Sequence, residues 1–199
     1  MWKRIFDFVA TPIAGFVLLP LFLFIVISVA LTSPGPVLFT QWRAGVMGRK
    51  FRIYKFRTLI KESDPENRDV SHLNEREGPA FKVELDPRAT KLGHWLRVSG
   101  LDELPQLWNI WLGDMSWVGP RPLPCHEIEA CSEWQKLRLK ARPGLTCLWQ
   151  IRQQEVSFDE WMRMDLRYVE NMSPWLDFKI LCATPLILVR RVFQAFLRR

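Results

Sequence analysis

No formally charged residue occurs between Asp7 and Arg43, and the first part of that interval, Phe8 to Leu31, is almost entirely apolar. About 20 apolar residues in a helix reach across a hydrocarbon core of about 30 Å, so bilayer insertion is the first constraint on this chain. Lys3 and Arg4 precede the run, and Arg43, Arg49, Lys50, Arg52, Lys55 and Arg57 follow it. Positive flanks favour the cytoplasmic side, and here both flanks are positive. A straight span would leave one flank outside, whereas a helix broken at Pro20 could enter and leave by the same face. Pro20 lacks an amide donor and crowds the carbonyl of Phe16; re-entrant segments are tolerated where the freed backbone groups find partners. The competing reading is an ordinary kinked span, since proline is common in membrane helices. A cleaved signal peptide fits poorly, because the run is long and no small-residue cleavage pattern follows it.

Removing the apolar segment, 1–32, leaves a second region, 33–199, of roughly 160 residues, enough for a single core. The chain carries a net charge of +7 and ten tryptophans. Basic residues mixed with Trp and Phe suit a protein that touches anionic headgroups at the hydrocarbon boundary. The same charge on a soluble chain would suggest nucleic acid, a partner the apolar N-terminus argues against. Cys125, Cys131, Cys147 and Cys182 lack paired spacing, so neither a zinc site nor a disulfide framework is signalled. His72, His94 and His126 have no ligand spacing either.

Ser33-Pro34-Gly35-Pro36 ends the apolar helix, because two prolines and a glycine cannot continue it. Val37–Trp42 and Phe51–Thr58 are rich in β-branched and aromatic residues around Gly45 and Gly48, which predicts a hairpin. Phe51 and Ile53 share one strand face while Tyr54 and Phe56 share the other, so both faces are expected to be partly covered. Lys61–Glu77 is polar, mixed in charge and aperiodic and reads as a surface loop with room for a short helix. Helices are predicted over Thr90–Val98, from Asp102 or Glu103 to Leu112 with Gly113 as terminator, over Glu127–Leu139 and over Phe158–Val169. Leu176–Arg199 reads as a basic amphipathic helix, broken or bent near Pro185, on the membrane surface. The fold class is α+β: mostly helical, with an N-terminal re-entrant membrane helix, a small β-hairpin and amphipathic interfacial helices.

Chemistry concentrates at Ser99-Gly100-Leu101-Asp102-Glu103-Leu104-Pro105. Asp102 fits an N-cap, where a carboxylate meets orphan amides and the positive end of the helix dipole, and this alone would explain the acidic pair. Cations set around it open a second reading. Arg121 sits between Pro120 and Pro122, whose fixed φ stiffens the backbone that presents its guanidinium, and a planar fork of donors can bind two phosphate oxygens at once. Arg142-Pro143-Gly144 repeats the pattern, Arg97 precedes the acids and Lys55 lies on the hairpin. Singly, each cation reads better as solvated surface.

Lys3-Arg4-Ile5-Phe6-Asp7-Phe8, Phe39-Thr40-Gln41, Tyr54-Lys55-Phe56-Arg57-Thr58, Asp86-Pro87-Arg88, Leu101-Asp102-Glu103-Leu104-Pro105-Gln106-Leu107, Gly113-Asp114-Met115-Ser116 and Val118-Gly119-Pro120-Arg121-Pro122 together resemble the bacterial sugar transferases. More closely, they resemble the monotopic phosphoglycosyl transferases that begin glycoconjugate assembly on polyprenol phosphate. The resemblance covers nearly the whole chain, and its length is similar to the minimal catalytic form of that family, without an extra N-terminal spanning domain.

The resemblance implies that Asp102 is a nucleophile toward the β-phosphate of a UDP-sugar, with Glu103 as its dyad partner, and that polyprenyl (undecaprenyl) phosphate then accepts the phosphosugar. It implies Mg²⁺ held by Asp102 and Glu103, and phosphate contacts from Lys55, Arg97 and Arg121, with Lys82 and Arg88 as further candidates. It also implies a re-entrant helix pinned at a Ser-Pro pair; here the pair is Leu19-Pro20. After Leu148-Trp149-Gln150 the family shows a glycine-arginine pair, where this chain has Ile151-Arg152-Gln153-Gln154, with Arg152 as the stand-in. The expected setting is the bacterial inner membrane with the catalytic region on the cytoplasmic face, and a homo-oligomer is compatible with this reading. The opposing class is a non-enzymatic, membrane-anchored basic adaptor for anionic lipid or a partner protein.

Overall fold

Both predicted strands form: β1 (Leu38–Ala44) and β2 (Lys50–Phe56) pair antiparallel, with Phe39 opposite Lys55. The computed structural model describes residues 2–60, 71–75, 77–81, 83, 86–152 and 156–197. Before the hairpin runs one long helix, α1 (Trp2–Thr32), which passes through Pro12 and Pro20 and ends at the Ser33-Pro34 break. Most of the loop read over Lys61–Glu77 lies outside the described residues; within it, Ser71–Leu73 makes a single 3₁₀ turn.

α2 (Lys91–Ser99) starts where Thr90 caps it, the threonine hydroxyl accepting from Gly93 N at 2.8 Å. It packs so closely on the hairpin's end that a Cβ at Gly93 would lie 2.0 Å from the Thr58 carbonyl oxygen. Gly100, at φ 72°, closes α2 in the left-handed conformation that glycine adopts without steric cost. A 3₁₀ turn, Leu101–Glu103, then leads into α3 (Gln106–Leu112). Asp102 is therefore not the N-cap of a helix. Its neighbours' amides are already spent: Glu103 N donates to Gly100 O and Leu104 N to Leu101 O, and Pro105, which sits at the α3 N-cap, has no N–H.

β3 (Ser116–Val118) pairs parallel with β4 (Gly144–Thr146), a contact no local pattern announced. Only glycine fits where these strands approach, since a Cβ on Gly144 would stand 2.0 Å from Gly119 N. Between them the helix predicted over Glu127–Leu139 is instead α4 (Cys125–Glu129), α5 (Glu133–Lys136) and a 3₁₀ turn at Leu137–Lys140. Ser132 begins the second piece, its amide donating to the Gln135 side chain at 2.8 Å, so the segment restarts. α6 (Phe158–Glu170) follows with Ser157 as its cap. α7 (Pro174–Leu197) runs through Pro185 as one helix, not two.

Both faces of β2 are covered. Phe51 and Ile53 join Ile110 and Met115 in one cluster, while Phe56 packs with Ile25, Val29 and Leu96 in another. The two ends of α1 dock on the same body. At its start Arg4 donates to the last carbonyls of α3, Ile110 O at 2.8 Å and Trp111 O at 2.9 Å, as a cation does at the negative end of a helix dipole. One turn on, Asp7 Oδ1 accepts from Ser116 Oγ and from Trp117 N. Lys3 donates to Val118 O, the Tyr168 hydroxyl and Asp177, tying α1 to β3, α6 and α7. At its other end Phe22 packs on Phe56 at 4.9 Å, and Arg57 holds the carbonyls of Ser33 and Pro34. Between these anchorages Ile13, Phe16, Val17 and Leu19 are exposed. By length and composition both α1 and α7 could cross a bilayer.

Candidate active site

Asn109 fixes the geometry from below. Fully buried on α3, it accepts from Tyr54 N through Oδ1 and donates from Nδ2 to Arg52 O at 2.7 Å, bolting the helix to β2. Lys55, the next residue on that strand, is thereby set beside the turn that precedes α3. Its Nζ lies 2.6 Å from Glu103 Oε1 and 3.9 Å from Asp102 Oδ2. From the opposite side Arg121 closes on Glu103 with Nη2 2.6 Å from Oε1 and Nη1 3.3 Å from Oε2.

The two acids thus differ sharply. Both oxygens of Glu103 are engaged, whereas the carboxylate of Asp102 accepts no hydrogen bond from the described residues and faces the cleft. Burial, together with the neighbouring Glu103 charge, pushes the Asp102 carboxyl up to about 6 against the pull of Lys55, Arg121 and Arg97. Burial also acts on Glu103, but Arg121 and Lys55 outweigh it and hold that carboxyl well below the usual range. The pair divides into a permanently ionised member and one left open for chemistry.

Behind Arg121 stands a residue that the sequence did not mark. Arg138, 2% exposed, donates from Nη2 to Arg121 O at 2.6 Å and pairs with Asp165 on α6 at 2.6 Å. Burial pushes the Asp165 carboxyl up to about 6 even with Arg138 beside it. Together with Pro120 and Pro122 this buried pair fixes the main chain that presents the Arg121 fork. The one sequence signal was a basic residue among apolar ones in Leu137–Lys140, which reads as surface.

The other expected cations are placed unequally. Arg97 reaches Asp86 at 3.5 Å and Val83 O at 3.0 Å, and its charge is felt by Asp102. Arg88 forks onto both oxygens of Asp86 and is almost wholly buried, so it works as a strut in the cleft wall. Arg152 stands on the cleft rim, half exposed, 3.5 Å from Glu160. Lys82 and the Gln153-Gln154 stretch lie outside the described residues.

The cleft around the acids has a volume of about 2070 Å³. Its apolar lining comes largely from the two long apolar helices: Leu18 of α1 and Leu181, Ile187 and Leu188 of α7. Its polar lining includes Gln41, Arg43 and Glu127, and the rim carries Arg190 and Arg191. Among the described residues no three acids, histidines or cysteines cluster as a complete metal cage. Asp102 offers a hard, open oxygen donor, which suits a Mg²⁺ shared with substrate phosphates; the oxygens of Glu103 are already taken by cations.

The family model for bacterial sugar transferases matches residues 1–191. The chain is 43% identical over 152 residues to a galactosyl transferase, CpsE, of Streptococcus agalactiae, covering 75% of this chain and 34% of that relative. It is 39% identical over 189 residues to the exopolysaccharide production protein ExoY of Rhizobium meliloti, covering 92% of this chain and 84% of ExoY. It is 35% identical over 195 residues to an undecaprenyl-phosphate galactose phosphotransferase of Salmonella typhimurium, covering 95% of this chain and 40% of the relative. The chain therefore spans well under half the length of two of these relatives and most of the third.

Proposed function

Because this chain belongs to the bacterial sugar transferase family, we propose that it moves a sugar-1-phosphate from a UDP-sugar to a polyprenyl phosphate in the membrane, the opening step of an exopolysaccharide or related glycoconjugate. One observation carries the reading: Asp102 is a nearly buried carboxylate without a hydrogen-bond donor, beside a Glu103 whose charge is locked by Lys55 and Arg121. The names of the relatives, which include undecaprenyl-phosphate galactose and glucose phosphotransferases, support the same chemistry.

An Asp102 oxygen attacks the donor's β-phosphorus, and the bond from that phosphorus to the bridging oxygen breaks. The electron pair leaves with UMP, and the phosphosugar stays on the carboxylate. An oxygen of the lipid phosphate then attacks the same phosphorus, Asp102 leaves as the free carboxylate, and a polyprenyl diphosphate sugar results. Such transfers depend on alignment and on charge already in place. Arg121, stiffened by its prolines and by Arg138, and Lys55 face the phosphates from two sides. When bound, Mg²⁺ would take an Asp102 oxygen with phosphate oxygens and neutralise the charge gathering on the leaving group.

The apolar lining from α1 and α7 gives a route for the isoprenoid acceptor, and the polar lining gives room for the nucleotide sugar. Both ends of α1 are held by one body, which supports the re-entrant topology, with this body on the cytoplasmic face that the positive flanks favour. α7 would lie along the same surface, its Trp175, Phe178, Phe193 and Phe196 exposed toward lipid.

A panel of UDP-sugars assayed with undecaprenyl phosphate tests the proposal. UMP release, and a phosphosugar adduct on Asp102 when donor is supplied alone, are expected. Release of UDP would assign an ordinary glycosyl transfer, and product without any adduct would remove the covalent step.

A further inference from the structure

Glu127 is 5% exposed, yet no described cation pairs with it, although the chain carries an excess of positive charge. Its Oε1 accepts from Phe81 N at 3.3 Å, the one hydrogen bond its carboxylate receives among the described residues, and the group faces the cleft. A buried carboxylate so poorly served costs stability. It is also ill-suited to phosphate, which it would repel. What an open carboxylate oxygen accepts well is a hydroxyl.

Its position agrees. Arg43 lines the cleft: its guanidinium donates to Pro122 O and to Gln41 Oε1, and it feels the charges of Glu103, Arg121 and Glu127. Arg43 is thus within electrostatic reach of both Glu127 and the Glu103–Arg121 pair. Trp149 lines the same cleft and is braced from behind by Trp161, the rings 4.7 Å apart, on the core cluster that also holds Ile128. A braced indole and an open carboxylate lining one cleft offer an apolar face and an acceptor, the two things a hydroxylated ring presents surfaces for.

We infer that Glu127 and Trp149 form a hydroxyl-recognition subsite for the donor, with the open carboxylate oxygen accepting from adjacent hydroxyls and the indole covering the ring that carries them. A nucleotide sugar has two such rings, the hexose and the ribose. The subsite rests on the donor assigned above and deepens it, since it names the part of the chain that reads the donor's hydroxyls.

The test uses the full-length protein in lipid nanodiscs and the variant Glu127→Gln, which keeps an acceptor for Phe81 N. Each is assayed with the donor accepted in the panel, with that donor's C4 epimer, and with UMP as competitor. Losing a charged acceptor is expected to raise the donor KM by about tenfold or more, with kcat changed far less. A shifted preference between epimers with unchanged UMP inhibition assigns the hexose; a proportional weakening of UMP inhibition with unchanged preference assigns the ribose. Glu127→Asp, which keeps the charge but withdraws it by one methylene, should show the same KM-directed loss. Unaltered KM, epimer preference and UMP inhibition overturn the inference, as does a loss confined to kcat or to thermal stability. Wild-type protein that releases no UMP from any donor fails at the earlier step, and takes the transferase reading and this subsite down together.

Discussion

Arg121 grips Glu103 through both terminal nitrogens, at 2.6 and 3.3 Å. That fork does more than neutralise a carboxylate. It occupies the acid that would otherwise compete with Asp102, so two adjacent carboxylates come to hold different charge states and different duties.

Replacing Asp102 by Asn should therefore abolish turnover without harming the fold. Loss on the order of 10³-fold or more is expected, as when a nucleophile is removed. Above pH 6 the variant should also melt higher than wild type, because it no longer buries an ionised group that lacks a hydrogen-bond donor. Parallel UMP assays and thermal scans check both halves, and retained turnover would defeat the assignment.

The pH dependence follows from the same residue. With its carboxyl pushed up to about 6, Asp102 is protonated and unreactive in acid, so log kcat/KM should climb with pH and level off above about 6. The stability contribution runs the other way. A folded-state pKa raised above the unfolded one favours the fold below about 4, and that advantage is lost as pH rises to about 6. Asp165 is raised in the same range, so the contribution of Asp102 is read as the difference between wild type and Asp102→Asn.

Removing divalent metal should stop the reaction and leave the protein folded, since no complete metal cage is formed among the described residues. Exhaustive chelation followed by Mg²⁺ titration measures this. Full turnover after chelation would leave charge neutralisation to Lys55 and Arg121 alone.

Arg138→Ala should cost about 3–5 kcal/mol, because it strands Asp165 in the interior without its cation. It should also lower kcat, by loosening the main chain behind Arg121. Denaturation in detergent gives the first figure and steady-state kinetics the second. Asp165→Asn together with Arg138→Met, which removes both charges, should recover much of the stability and little of the rate.

A tag at either end of the chain should be shielded from reagents outside intact cells if α1 is re-entrant. Labelling at Met1 but not at Arg199, or the reverse, would establish a span.

Elements whose logic is local were legible in the sequence. The hairpin came from β-branched and aromatic runs around Gly45 and Gly48, and α2 from its leucine and tryptophan spacing before Gly100. α3 was readable in its apolar stripe and its Gly113 stop, but its start was misplaced. Gly100 and Pro105 bracket a 3₁₀ turn whose amides are satisfied at i−3, so Asp102 has no cap to make. That failure is informative, because a carboxylate without a structural task was the clearest mark of the site. The β3–β4 pairing was out of reach, for three-residue strands 28 positions apart carry no pattern beyond two glycines. Asn109, Arg138 and Glu127 were missed for one reason: each matters through a partner distant in sequence, on β2, α6 and the Phe81 segment.

The membrane helix is not a tether that can be cut away. Arg4 closes the end of the helix that follows the Asp102-Glu103 turn, and Asp7 holds the strand that runs up to Arg121. A water-soluble version trimmed back to Ser33 would uncap the one and release the other, so solubility gained in this way would come with a slackened candidate site.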